Sequence, residues 1–151
     1  MAASLSVTQL NTTTLVAQDT STGISVTSRS LSVYDSNLTL LQTINMGVST
    51  SVNVTIPKDG YYRFILTLNG TITVTSNFLA TMIYDIQALT LEQELDCGCA
   101  ASKSLCNDAV RALMAKQWAI TYLTFNQPQN SQRCIDTANT LIQNTTTPCG
   151  C

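Results

Sequence analysis

From about residue 5 to residue 86 the chain alternates hydrophobic and polar positions with a period of two, the repeat of a strand with one face buried and one face wet. The clearest segment is SVNVTIP at residues 51–57. Val52, Val54 and Ile56 share one face, and Pro57, which has no N–H to give to a ladder, ends the run. Lys58-Asp59-Gly60 supplies a turn, after which Tyr62, Phe64, Leu66 and Leu68 resume the alternation. Asn69-Gly70 tolerates the positive φ angles of a type I′ turn, so the pattern predicts a hairpin that returns through Ile72 and Val74. Weaker strands are predicted at 23–26, 31–33, 38–41 and 43–46, and residues 78–86, less alternating, read as a strand buried on both faces. About six to eight short strands at intervals of about 8–12 residues indicate an antiparallel β-sandwich or jelly-roll-like domain over residues 1–86.

The period changes after Ile86. Leu89, Leu91 and Leu95, set among Glu92 and Glu94, suggest a short helix leading into Asp96-Cys97-Gly98-Cys99. Ser102 or Ser104 is a candidate cap for a longer helix running to about Phe125. Its apolar stripe contains Leu105, Ala109, Ala112, Leu113, Ala119, Ile120 and Leu123, widened by Cys106, Val110, Met114 and Trp118, a face broad enough to need more than one neighbour. The stretch at 126–130 breaks the helix. A second helix is predicted from Ser131, burying Cys134 or Ile135 with Ala138, Leu141 and Ile142. Residues 87–151 therefore read as an antiparallel helical hairpin, and the whole chain as α+β.

Charge changes the picture of what such a domain does. Charged residues make up only 11% of the chain, against roughly 25% in an average soluble protein. Ser, Thr, Asn and Gln stand where Lys and Glu normally keep a free surface soluble, as suits a subunit that buries much of its surface in a larger assembly. With a net charge of −2 and no Lys/Arg cluster there is no electrostatic footprint for DNA or RNA. No stretch approaches the roughly 20 apolar residues of a membrane span. The amino terminus has no basic region followed by an apolar core, which predicts a protein made in a cytosol without a secretory signal.

The six cysteines all fall in the last third, and two pairs are Cys-Gly-Cys. In an antiparallel hairpin the start of the first helix adjoins the end of the second, so Cys97, Cys99 and Cys106 are expected beside Cys149 and Cys151. Cys134 lies ten residues before Asn144, roughly 15 Å away along a helix, and reads as a small buried hydrophobe. Two Cys-X-Cys pairs plus Cys106 fit a tetrahedral structural zinc. Disulfides formed on maturation fit equally well, and free thiols are the third alternative, since cytosolic thiols are ordinarily kept reduced. There is no Cys-X-X-Cys on a thioredoxin-like pattern, which argues against redox catalysis.

Little else suggests chemistry. The chain has no histidine, the commonest general base, and no Gly-rich phosphate loop, so neither an enzyme nor a small-molecule substrate is expected. Tyr34, Tyr61 and Tyr62 are the candidates for stacking on a carbohydrate. Tyr62 falls on the inward parity of its strand and only Tyr61 faces the other way, so the aromatics read mainly as core and Tyr61→Ala as a mild change unless that ring belongs to a binding surface.

The order of VTIPKDGYYRF at 54–64, Phe78-Leu79-Ala80, Cys-Gly-Cys, a helical hairpin and a terminal Cys-Gly-Cys resembles small virion proteins of tailed bacteriophages, including those of crAss-like gut phages. The resemblance spans roughly residues 50–151. It implies a non-enzymatic subunit of the neck, tail or capsid surface, made in the host cytoplasm and located in the virion. Its partners would be other virion proteins and copies of itself. The chief alternative is a β-sandwich binding module that recognises a glycan or a host-cell surface, and a third reading is a secreted disulfide-linked domain whose signal has been removed.

Overall fold

Antiparallel pairing accounts for every strand of the amino-terminal half. A computed structural model describes residues 1–81 and 100–145. Seven strands, β1 (Leu5–Asn11), β2 (Thr14–Asp19), β3 (Arg29–Tyr34), β4 (Leu40–Asn45), β5 (Ser51–Thr55), β6 (Gly60–Leu68) and β7 (Ile72–Ala80), precede two helices, α1 (Ala100–Thr124) and α2 (Pro128–Thr145). The strands form a three-stranded sheet, β1-β2-β5, and a four-stranded sheet, β4-β3-β6-β7. The architecture is α+β. The chain divides into two compact units, Met1–Ala80 and Thr81–Cys151, and the expected boundary at residues 86/87 lies outside the described residues.

The period-two pattern works as anticipated in β2, β3, β5 and β6. Leu15 and Ala17 from β2, Leu31 and Val33 from β3, Val54 from β5, and Tyr62, Phe64, Leu66 and Leu68 from β6 form one hydrophobic cluster to which both sheets contribute. The arrangement is therefore sandwich-like, each sheet turning alternate side chains into a shared core. Burial of each large apolar side chain contributes about 1.5–3 kcal/mol. The predicted Asn69-Gly70 turn is present. Both residues have positive φ, 52° and 71°, and the Thr71 N–H donates to the Leu68 carbonyl at 3.1 Å.

Three expectations about strands change. Residues 23–26 are not a strand, although Ile24 and Val26 pack against the core. Their neighbourhood is held by a side chain instead of a ladder. The Asn69 carbonyl oxygen accepts from the N–H groups of Thr27 (2.8 Å) and Ser28 (3.4 Å), and its amide donates to the Ser25 carbonyl (2.8 Å). Residues 38–41 and 43–46 are not two strands but contribute to one. Asp35 accepts from the N–H groups of Asn37 and Thr39, both at 2.9 Å, and Leu38 turns at φ 60°, so the chain enters β4 only at Leu40. Residues 78–80 belong to the end of β7, and 82–86 lie outside the described residues.

In the second unit the helices run antiparallel, joined by a tight connection. Asn126 adopts φ 55°, and the N–H groups of Asn126 and Gln127 return to the carbonyls of Leu123 (3.0 Å) and Tyr122 (2.8 Å). This is a Schellman cap with Asn in the place glycine usually takes. The second helix starts at Pro128, earlier than the predicted Ser131, because proline at the first position gives up an N–H that would be orphaned anyway. Ser131 is fully buried and does not cap: its hydroxyl donates to the Ala119 carbonyl on α1 at 2.9 Å. The first helix begins at Ala100, ahead of the candidate caps Ser102 and Ser104.

Candidate functional site

The cysteine cluster expected from spacing cannot be placed in space: Cys97, Cys99, Cys149 and Cys151 lie outside the described residues, and Cys106 is located only as a backbone position near the start of α1. Among the described residues no group of three or more His, Cys, Asp or Glu side chains is arranged to hold a metal ion. Cys134 is a free thiol, half-buried on α2, and burial pushes its pKa up, so it stays protonated and weakly nucleophilic.

The stacking platforms are largely withdrawn. Tyr62 is a core residue whose hydroxyl donates to the Lys58 carbonyl at 2.5 Å. Tyr61 points to the opposite face of β6, as its parity demands, yet it too is completely buried and lies outside the main core cluster. Its ladder partner Leu79 is also buried, and the Arg63 guanidinium donates to the Tyr61 hydroxyl at 3.4 Å. Only Tyr34 keeps part of its surface, beside Leu38, Arg63 and Ile65 around a hollow of about 240 Å³.

The outer faces of the two sheets are nearly free of charge. Opposite the core, the three-stranded sheet carries Ser6 and Thr8 from β1, Thr14, Val16 and Gln18 from β2, and Ser51, Asn53 and Thr55 from β5. The same side of the four-stranded sheet carries Ser30, Ser32, Thr43, Thr67, Thr73, Thr75 and Asn77, with Arg63 as its one charged residue. The edge strands β1, β4, β5 and β7 contain no Lys, Arg, Asp or Glu at all. At the β3–β4 corner Leu38, Leu40 and Leu41 are each 40% exposed or more. Charges, proline or covering loops ordinarily guard such edges, because unpaired N–H and C=O groups recruit further strands; here β1 lies beside β7, and the Gln42 side-chain amide on β4 donates to the Thr55 carbonyl of β5 at 3.0 Å.

One pair of charges is used internally. The Arg29 Nε donates to Asp19 at 2.6 Å with side chains 11% and 3% exposed, and Arg29 also donates to the Val48 carbonyl at 3.0 Å. This pair joins β2 to β3, one strand from each sheet. Burial works to raise the Asp19 pKa, but hydrogen bonds from Ser21 and Arg29 and the guanidinium charge together outweigh it and hold the carboxyl below its ordinary value.

A different surface lies between the helices of the second unit. An open groove of about 340 Å³ is floored by Met114, Trp118, Cys134 and Leu141 and flanked by Arg111 and Arg133. Among the described residues no helix is long and apolar enough to cross a membrane. No protein-family model matches the chain, and no curated protein matches it.

Proposed function

We propose that this chain is a non-enzymatic structural subunit acting in many copies, a virion protein associated with the neck, tail or capsid of a tailed bacteriophage. The observation that carries the structural part of this reading is the absence of charge from all four edge strands and, apart from Arg63, from the outer faces of both sheets. A solvent-facing sandwich built this way tends to associate through its edges, whereas a lattice or ring of copies puts the same edges to use. The phage setting rests on the sequence resemblance over residues 50–151. Its partners are then copies of itself and other virion proteins, without direct contact to nucleic acid, and it reaches the particle after synthesis in the host cytoplasm.

Within this reading the cysteines serve as a clasp. The antiparallel helices leave Ala100 and Thr145 at the same end of the hairpin, with Cys97 and Cys99 a few residues before the first and Cys149 and Cys151 a few residues after the second. Structural zinc or disulfides among these four and Cys106 tie that end together. The burial of Tyr61 and Tyr62 weighs against a glycan-binding module. The reading is tested by mass spectrometry of purified phage particles whose genome encodes the chain. Many copies per particle support it, and absence of the chain from intact particles refutes it.

A further inference from the structure

Among the described residues of α1 and α2 the fully buried positions are mostly small, Ala112, Ala119, Ser131 and Ala138, with Ile135 the one large apolar side chain fully enclosed and Gln132 buried to 9% exposure. Two large side chains of α1 face water instead: Met114 and Trp118 are each 55% exposed, and Phe125, just past the end of the helix, is 69% exposed. Tyr122 stands against Trp118, ring centroids 6.0 Å apart. At spacings of three and four residues these side chains form one stripe along the helix. From Arg111 to Phe125 the stripe runs about 21 Å at about 1.5 Å per residue, a length matched by about four turns of another helix.

We propose that the groove between α1 and α2, continued by this stripe, is the seat of an acidic amphipathic helix from a partner protein. Charge decides the occupant. Arg111 and Arg133 flank the apolar floor, and no carboxylate lines it among the described residues. Arg111 is held only by an exposed contact to Asp108 at 3.3 Å, and Arg133 forms no ion pair among the described residues. A second copy seated here would bring two Arg133 guanidinium groups that have no ion pair among the described residues, beside two Arg111 that each keep Asp108, around one apolar seam, a repulsion that strengthens as water is excluded. A helix with an apolar stripe between two rows of carboxylates meets the floor with the stripe and each arginine with a carboxylate, the kind of contact that selects one partner over another. The completed unit would be a three-helix bundle whose third member comes from outside the chain. This inference is independent of the self-assembly proposed for the sandwich.

Trp118 is the only tryptophan, so its emission reports the groove directly. The full-length protein is titrated with a synthetic peptide of about 18 residues, leucines along one face and glutamates on both flanks, and with its counterpart carrying lysines in place of the glutamates. The expected result is a saturable blue shift with the acidic peptide and binding weaker by about tenfold or more for the basic one. Arg111→Gln with Arg133→Gln removes most of that preference, and Arg133→Glu shifts it toward the basic peptide. Equal affinity for both peptides overturns the proposal, as does the absence of any shift. A blue shift produced by raising the protein concentration alone assigns the groove to a second copy and also overturns it, while leaving self-assembly of the sandwich untouched.

Discussion

The Asp19–Arg29 pair joins the two sheets through one contact and makes part of the stability acid-sensitive. Replacing Asp19 by Asn leaves a guanidinium that is 11% exposed without its counter-charge, and the loss from breaking a buried pair is about 3–5 kcal/mol. Asp19→Asn combined with Arg29→Met removes both charges and is expected to recover much of that loss in chemical denaturation. Because the folded pKa of Asp19 is lowered, its stabilisation is complete above the ordinary value of 3.8 and fades as pH falls through the lower folded value. Wild-type stability should therefore contain an acid-dependent component below about pH 4 that Asp19→Asn lacks. Tyr61 teaches a second lesson at this scale. Alternation assigned its ring to the outer face, but parity says only which way a side chain points, not whether that face is covered. Complete burial makes Tyr61→Ala a cavity-forming change of about 3–5 kcal/mol, readable as a lower denaturation midpoint, in place of the mild effect expected from sequence.

Among the elements, those with a strong local signal were legible: the Val52, Val54 and Ile56 alternation, the Asn69-Gly70 turn and the inward row of β6 all stand where the pattern put them. Residues 23–26 were misread because alternation does not reveal whether a partner strand exists, and there the Asn69 side chain takes the backbone groups instead. The helices were legible in type but not in depth. The apolar stripe on α1 treats Ala112 and Trp118 alike, whereas packing separates them: alanines and a serine at the contact let the backbones approach, and the bulky side chains are left at the rim. Ile135→Ala should therefore lower stability by about 2–5 kcal/mol. Leu141→Ala, at a half-buried groove position, should cost distinctly less, although the sequence pattern places both on the buried face. Thermal unfolding of the two variants side by side checks the order.

For the whole molecule, the shortage of charge was plain from composition, but its location was not. Composition does not say that the few charged side chains would avoid all four edges, which follows only once the strand order is known. The thiol clasp belongs to this scale as well. If it holds zinc, protein purified under reducing conditions carries about one metal per chain and loses helix stability to a chelator. If it holds disulfides, non-reducing mass spectrometry finds links between residues 97–106 and 149–151, and reduction destabilises by about 2–4 kcal/mol. Free alkylation of Cys97, Cys99, Cys106, Cys149 and Cys151 in the folded protein, with no zinc, would contradict the clasp. The central claim is that the uncharged edges are assembly surfaces, and sedimentation velocity across a concentration series tests it most directly, comparing wild type with Thr43→Lys on β4. Thr43 is exposed, so the lysine should leave the fold intact within about 0.5 kcal/mol while placing a charge on an edge. Wild type is expected to form a discrete multimer and Thr43→Lys to shift toward monomer; a wild-type chain that sediments as a monomer at every concentration would contradict assembly through the edges.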